Sequence, residues 1–238
     1  MQARPDAPRD YPDPPWPMHG FAWARSYLVP TDALDLPPPL EPVAAGGRTT
    51  GLLLYVRYTE PSPLTYHELV WAPALVRAPG GEIGLYVAAI YVDDERSLRG
   101  GREIWALPKA MARFEAEGGA ERAGEGAGSV RMRADDGTSI DLRMRAFGPS
   151  RVYVPQFLAT LQTRGGRVER FTGRGSGRAG LASLEVPHFS SEHEGWAGFI
   201  EARALPAMRL ASFEIGMQPP EVLARRPGDG DAIGEPPA

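Results

Sequence analysis

The sequence contains no cysteine, and only one of its 26 basic residues is a lysine; the other 25 are arginines. Without cysteine the chain cannot form a disulfide, a thiolate nucleophile or a cysteine-ligated metal site. No apolar run is long enough to cross a bilayer, and the first residues lack the apolar core of a signal peptide. The net charge of −4 provides no basic domain for nucleic acid. We therefore expect a cytoplasmic protein that binds neither nucleic acid nor membranes.

The composition is that of a globular domain with poorly ordered ends. A hydrophobic content of 42% and a charged content of 24% are ordinary for such a chain of 238 residues. Residues 1–18 carry six prolines among charged side chains, which predicts a disordered arm. Residues 19–222 are expected to form a single β domain, and residues 223–238 a flexible tail.

Short strands separated by turn signals favour a mainly β fold, an antiparallel barrel or sandwich with few helices. Residues 66–76 and 83–92 are predicted to pair as an antiparallel hairpin, with a bulge or an edge at Pro73. Asp136-Gly137 lies between two alternating segments and is the strongest short hairpin signal in the chain.

Other segments carry weaker predictions. Residues 155–163 are expected to form a helix, because Phe157, Leu158 and Leu161 share one side at helical spacing. The glycine-rich segments 118–128 and 173–177 are interpreted as flexible loops. Residues 93–99 are interpreted as a polar connection.

The single lysine, Lys109, lies between apolar runs at the end of a segment punctuated by glycine and proline. A buried lysine can lose its proton, whereas arginine stays protonated in proteins. A neutral primary amine can attack a carbonyl carbon and form an imine. Lys109 is thus a candidate Schiff-base residue that begins a strand. The alternative is a surface cation left over from an arginine-rich coding bias.

Two segments carry a resemblance to a known family. The run Gly-Gly-Arg-Glu-Ile-Trp-Ala-Leu-Pro-Lys, residues 100–109, resembles the signature of the acetoacetate decarboxylase family, which ends in the Schiff-base lysine. Upstream, Tyr66-His67-Glu68 looks like the Tyr-x-Glu segment that carries an active-site glutamate in that family. The resemblance extends roughly over residues 21–220. It implies a closed β-barrel or cone whose interior holds the active site, and assembly into a homo-oligomer.

The resemblance implies a role for several residues. Lys109 is the expected nucleophile and Glu68 the expected acid, base or electrostatic guide. Arg25 lies where the family has an arginine suited to a substrate carboxylate, although a solvated strand arginine is an equal reading. Tyr66 and Trp105 are candidates to line the pocket, although a packed core position is the favoured interpretation for Tyr66.

Arg102 and Glu103 are expected to be structural, because opposite charges beside a Gly-Gly turn can fix the loop that directs Lys109. No cofactor is expected. A metal site is not expected either, because His188 and His193 lack acidic or cysteine partners at a metal-ligand spacing.

The sequence departs from the family pattern at two positions. The residue after the lysine, commonly a second lysine, is Ala110, which removes a neighbouring cation as a means of favouring a neutral amine. A further glutamate of the family aligns with Leu53 or Leu54. Both departures weaken the specific case for decarboxylation.

The leading functional hypothesis is a metal-free Schiff-base lyase that decarboxylates a small keto acid through Lys109. One alternative keeps the imine but runs an aldol-type condensation or a dehydration of a keto acid. Another is a small-molecule-binding barrel that has lost catalysis. The presence of the chain's only lysine at the motif position argues against this last alternative.

Overall fold

The computed structural model describes residues 9–123 and 126–224, which form fifteen strands and one α-helix. The helix, α1, spans Glu95–Trp105, and short 3-10 turns occupy Thr31–Ala33 and Glu194–Trp196. The strands are β1 Trp16–Pro30, β2 Glu41–Pro42, β3 Ala44–Ala45, β4 Arg48–Thr59, β5 His67–Ala72, β6 Ala74–Arg77, β7 Ile83–Tyr86, β8 Ala89–Val92, β9 Lys109–Gly118, β10 Ala127–Ala134, β11 Ser139–Ala146, β12 Val152–Arg164, β13 Arg167–Ser190, β14 Arg203–Met217 and β15 Glu221–Ala224.

Nine strands close into a barrel in the order β1-β4-β5-β8-β9-β10-β11-β13-β14 and back to β1. All neighbours in this ring are antiparallel except β8 and β9, which run parallel. Four of the remaining strands continue from β13 in the order β12, β7, β6 and β2, and β7 pairs in parallel with β12; β3 pairs with β4, and β15 with β13. The predicted mainly β barrel is confirmed, and its strands are mostly but not wholly antiparallel.

The barrel interior holds what we call the first core, to which all nine ring strands contribute side chains. Strands alternate their side chains between two faces, so neighbouring residues of one strand point to opposite sides. Large side chains of the first core with at most 1% exposure are Trp23, Leu53, Tyr55, Leu69, Trp71, Tyr91, Met132, Ile140, Leu142 and Leu184.

A second core lies outside the barrel wall, against the opposite face of β1, β4, β5 and β8. Helix α1 and the paired parts of β13 and β14 cover it. Its main members are Trp16, Met18, Leu64, Tyr66, Val70, Ile90, Val92, Trp105 and Phe171. The protein thus packs two apolar layers on the two sides of one set of strands.

Two predicted hairpins are confirmed. Strands β10 and β11 pair antiparallel across Asp136-Gly137, and Gly137 adopts a φ of 85°, which favours glycine. The predicted 66–76 and 83–92 segments also pair antiparallel, as β5 with β8 and β6 with β7. Pro73 interrupts the first of them, because it separates β5 from β6.

The helix predicted at 155–163 is wrong, because these residues belong to β12 and pair with β13. Pro155 is tolerated there because β7 pairs with β12 only at Thr160, which leaves β12 an edge at the proline. The predicted loop at 173–177 is also strand, within β13. A Cβ at Gly175 would lie 1.8 Å from the carbonyl oxygen of Glu214, so this glycine permits close approach of β14.

The segments predicted to be poorly ordered are described only in part. Residues 1–8, 124–125 and 225–238 lie outside the described residues, so the expected disorder of residues 1–8 and of residues 225–238 remains a prediction. Strand β1 already begins at Trp16, inside the expected arm. In the predicted loop 118–128, Ala120 is buried in the first core, and its carbonyl oxygen accepts a hydrogen bond from Tyr55.

Candidate active site

Lys109 is buried at the start of β9 and pairs with Glu68 of β5. The lysine is 3% exposed and the glutamate 6% exposed. The Nζ atom of Lys109 lies 2.7 Å from Oε2 of Glu68 and 2.9 Å from Oγ of Ser97, which is fully buried. Burying two opposite charges costs solvation energy that packing alone does not recover, so such a pair indicates a site rather than a stabilising contact.

Register explains why residues 41 positions apart meet. Ile90 of β8 pairs with Lys109 of β9, and Val92 of β8 pairs with Glu68 of β5. Directly paired residues share a sheet face, so both charged side chains point into the second core. The expectation that the site lies in the barrel interior is therefore wrong, because the first core fills that interior.

Two tyrosines surround the carboxylate of Glu68. The hydroxyl of Tyr58 donates to Oε1 at 3.1 Å, and the hydroxyl of Tyr66 donates to Oε2 at 3.4 Å. Burial, and then the negative charge of Glu68, raise the pKa of both tyrosines well above its ordinary value. Both therefore stay protonated and can donate hydrogen bonds to the carboxylate. The ring of Tyr66 also lies 5.2 Å from Nζ of Lys109, within cation–π range.

Helix α1 holds the lysine from the other side, and sequence analysis missed it. Asp94 caps the helix by accepting from the backbone N–H groups of Arg96 and Ser97, and Trp105 ends it. Ala106 then adopts a φ of 54°, the one positive value at a described residue other than glycine, and turns the chain into β9. Gly100 and Gly101, interpreted from sequence as a turn, lie inside the helix.

The two charged motif residues make contacts that hold this turn. Arg102 Nε donates to the backbone oxygen of Lys109 at 2.7 Å, which ties the helix end to the start of β9. Glu103 does not pair with Arg102 in the described contacts; its carboxylate accepts from the hydroxyl of Tyr11. Its backbone oxygen accepts from Arg164. Both positions fit the structural role that the motif implies.

The structure does not bring Arg25 to Lys109. Arg25 pairs with Leu53 across β1 and β4, on the face that belongs to the first core. Its guanidinium donates to the backbone oxygens of Leu205 and Leu184. The structure therefore separates Arg25 from Lys109, because the side chain lies on the other side of the strand and two of its N–H donors bond backbone oxygens.

Trp105 lies in the second core but is occupied by packing. Its ring meets Trp16 edge-on at 4.8 Å, and its indole N–H donates to the backbone oxygen of Gln218 at 2.8 Å. The expectation that Trp105 lines a pocket remains a prediction.

Ala110 points away from the site. It pairs with Tyr91 and packs against the first core, whereas Lys109 points into the second. A longer side chain at position 110 would enter the first core. A lysine there would therefore not place its charge beside the amine of Lys109, although the two residues are adjacent in sequence. Of the two leucines that align with the family glutamate, Leu54 faces the site, because it pairs with Val70 and both belong to the second core.

A surface pocket of about 380 Å³ is lined in part by Phe213, but not by Lys109 or Glu68. The Phe213 ring meets Tyr58 edge-on at 5.9 Å, and Tyr58 bonds Glu68. Phe213 is thus a lining residue of the pocket that contacts a hydrogen-bond partner of Glu68. Among the described residues, no group of three or more histidines and carboxylates is placed to hold a metal ion, and no helix is long and apolar enough to span a membrane.

The geometry defines a β-barrel protein whose only lysine is buried against a carboxylate, which in turn accepts hydrogen bonds from two tyrosine hydroxyls. The sequence model of the acetoacetate decarboxylase family matches residues 2–146, more than half of the chain, and the chain belongs to this family. The resemblance carried by the two motifs is thereby confirmed.

The known proteins that resemble this chain differ in how much of it they match. Acetoacetate decarboxylase 1 of Bradyrhizobium diazoefficiens is 51% identical over 37 residues, which cover 16% of this chain and only 15% of that relative. The crystal structure of acetoacetate decarboxylase from Legionella pneumophila has a TM-score of 0.62 at 18% identity and covers 92% of each chain. The enduracididine biosynthesis enzyme MppR complexed with pyruvate has a TM-score of 0.58 at 15% identity, covering 91% of this chain and 93% of its own. Both structures share the fold.

Proposed function

We propose that the protein is a Schiff-base lyase that acts on a small keto acid through Lys109. The observation that carries this proposal is the burial of the chain's only lysine with its amine 2.7 Å from the Glu68 carboxylate. Lysine side chains are mostly exposed and are almost never fully buried unless paired, so burial in an apolar layer is not expected of a lysine that serves only as a surface charge. Membership in the acetoacetate decarboxylase family supports the same chemistry.

In the proposed reaction, the neutral amine of Lys109 attacks the ketone carbon, and water leaves to give an iminium ion. With a 3-keto acid, the bond to the carboxylate breaks, carbon dioxide leaves, and the electron pair forms an enamine. Protonation at carbon and hydrolysis release the ketone and the amine. Glu68 is the nearest acceptor for a proton leaving Nζ, and Tyr58 and Tyr66 can hold its carboxylate in place.

A second reaction at the same imine is an aldol-type condensation or dehydration of a keto acid. Leu54 on the site face, where the family pattern has a glutamate, favours it, because one carboxylate fewer is available for proton transfer. The likeness in fold to MppR, which has been observed with pyruvate, makes pyruvate a useful second probe. A binding barrel without catalysis predicts no covalent adduct at all.

The test is reductive trapping with acetoacetate or pyruvate and sodium borohydride, followed by peptide mass analysis with the N-terminal amine blocked. We expect an adduct on the peptide that contains Lys109. Lys109→Arg keeps the charge and removes the reactive amine, so it should fold, form no adduct and lose essentially all turnover. Turnover of Lys109→Arg within a few fold of the wild type would rule out the Schiff base.

Acetone and carbon dioxide released from acetoacetate would identify decarboxylation. Adduct formation with pyruvate and an aldehyde-dependent product, without carbon dioxide release, would instead identify the condensation. No adduct with either keto acid would favour the binding barrel.

A further inference from the structure

Two residues of α1, Ser97 and Gly101, lie four positions apart and so face the same side of the helix. Both contact the side chain of Lys109. Ser97 Oγ lies 2.9 Å from Nζ. At Gly101, an added Cβ would lie 2.5 Å from both Cδ and Cε of Lys109, so the stem of the lysine rests directly on the helix backbone.

Gly101 has no conformational reason to be glycine. It lies inside a helix and is not among the residues with positive φ. A glycine within a helix destabilises it relative to alanine. The close contact with Lys109 is therefore the feature of this position that requires a missing side chain. The contact at the neighbouring Gly100 is different, because a Cβ there would lie 2.7 Å from the buried ring of Trp16.

We propose that Ser97 and Gly101 are positioning residues that together form a seat for the amine of Lys109. Gly101 leaves room for the stem, and Ser97 holds the nitrogen on the side facing Glu68. A neutral amine has two N–H groups and one lone pair. With the N–H groups donated to Glu68 and Ser97, the lone pair points in the one remaining direction, which fixes the line of attack on a carbonyl. The catalytic part of this inference rests on the proposed function.

The first experiment compares Gly101→Ala with Gly100→Ala as its matched control. Gly101→Ala displaces a buried amine from Glu68 and Ser97, which offsets the gain from alanine in a helix, so its unfolding midpoint should not exceed that of the wild type and trapping is compared per folded molecule. Its rate of borohydride trapping with acetoacetate or pyruvate should fall at least about tenfold, because a displacement of about 1 Å costs up to roughly a hundredfold in rate. Gly100→Ala pushes on Trp16, so it should lose stability while its folded fraction traps at the wild-type rate. Trapping by Gly101→Ala at the wild-type rate would overturn the seat.

Ser97→Ala removes one partner of the amine without adding bulk, so it tests the second half of the seat even if Gly101→Ala fails to fold. We expect the trapping rate per folded molecule to fall about tenfold, together with a lower unfolding midpoint because the buried amine loses one hydrogen-bond partner. Unchanged trapping would remove Ser97 from the proposal.

A further readout separates failure of the seat from failure of the proposed function. If the wild type traps neither keto acid, the proposed function fails, and the seat is judged by reductive methylation with ¹³C-formaldehyde and cyanoborohydride. The single lysine gives one side-chain signal by NMR. Faster methylation of Gly101→Ala than of the wild type and Gly100→Ala would support the seat, because a displaced amine loses its two partners. Equal rates would overturn it.

Discussion

The two cores use opposite faces of the same strands and differ in what they hold. On β5, Leu69 and Trp71 point into the first core and are fully buried, whereas Glu68 and Val70 point into the second. In the first core the barrel closes on itself, and apolar side chains fill it. The second core closes under a helix, and there the charged pair replaces apolar contacts. One strand can therefore pack apolar side chains into the barrel with its odd-numbered residues and present a buried charged group with an even-numbered one.

The largest expected effect comes from breaking the charged pair of the second core. Glu68→Gln leaves the lysine buried beside an amide, and removing one partner of such a pair typically costs about 3–5 kcal/mol of unfolding free energy. Glu68→Gln combined with Lys109→Met should recover most of that loss, because neither charge remains. Denaturant unfolding of the two variants checks this. A double variant less stable than the single one would show that the pair stabilises the fold.

The next prediction places a charge in the first core. Ala110→Lys should destabilise the protein by about 1–3 kcal/mol, since the partly buried position lets the long side chain reach toward the surface. It should leave the trapping rate per folded molecule unchanged, because residue 110 faces away from Lys109. Chemical denaturation and borohydride trapping measure the two effects. Faster trapping at lower pH would mean that the added amine reaches the site.

A smaller effect distinguishes the tyrosines beside Glu68 by pH. Burial, followed by the charge of Glu68, raises the pKa of Tyr66, while an unfolded tyrosine ionises near pH 10. Above about pH 10 the unfolded state therefore binds fewer protons, and stability falls as pH rises; below it the contribution is complete. Tyr66→Phe should flatten this fall by about 1.4 kcal/mol per pH unit.

The measurement is unfolding free energy between pH 9 and pH 11, with tyrosinate absorbance as an independent signal. Tyr55→Phe is the matched variant in the first core, where burial also raises the pKa. It should flatten the slope similarly but leave trapping unchanged, because Tyr55 donates to Ala120 rather than to Glu68. An unaltered slope in Tyr66→Phe would show that Tyr66 ionises normally.

The smallest effect concerns the turn that leads from α1 to Lys109. Ala106 has a left-handed backbone, which costs a residue with a Cβ roughly 1–2 kcal/mol. Ala106→Gly should therefore raise the unfolding free energy by about 1 kcal/mol, after allowing for the greater freedom of glycine in the unfolded chain. Thermal unfolding checks this, and trapping should stay at the wild-type rate. A loss of stability would indicate that the alanine methyl packs usefully.

The sequence was informative where local chemistry decides the structure. The Asp136-Gly137 hairpin and the break at Pro73 follow from turn and proline geometry. Lys109 and Glu68 were identified because each belongs to a sequence motif, although the two motifs lie on separate strands. Helix α1 was missed because two adjacent glycines are typical of turns, and only the contacts with Trp16 and Lys109 explain them. Asp94 was the available signal, since it precedes Glu95 and caps the helix. The 173–177 part of β13 was taken for a loop because glycines are typical of loops, whereas here they permit the close approach of β14, which sequence alone does not reveal.

The parallel pairing of β8 and β9 has a consequence for how such a site can arise. Antiparallel neighbours can be joined by a two-residue turn, but parallel neighbours require the chain to travel back along its own length. In this barrel that return path contains α1. The one parallel pair of the ring therefore also places a helix over Lys109, the first residue of β9. The amine is enclosed by the connection that delivers it, so a shorter connection would uncover Lys109 and disturb the parallel pairing of β8 with β9 together.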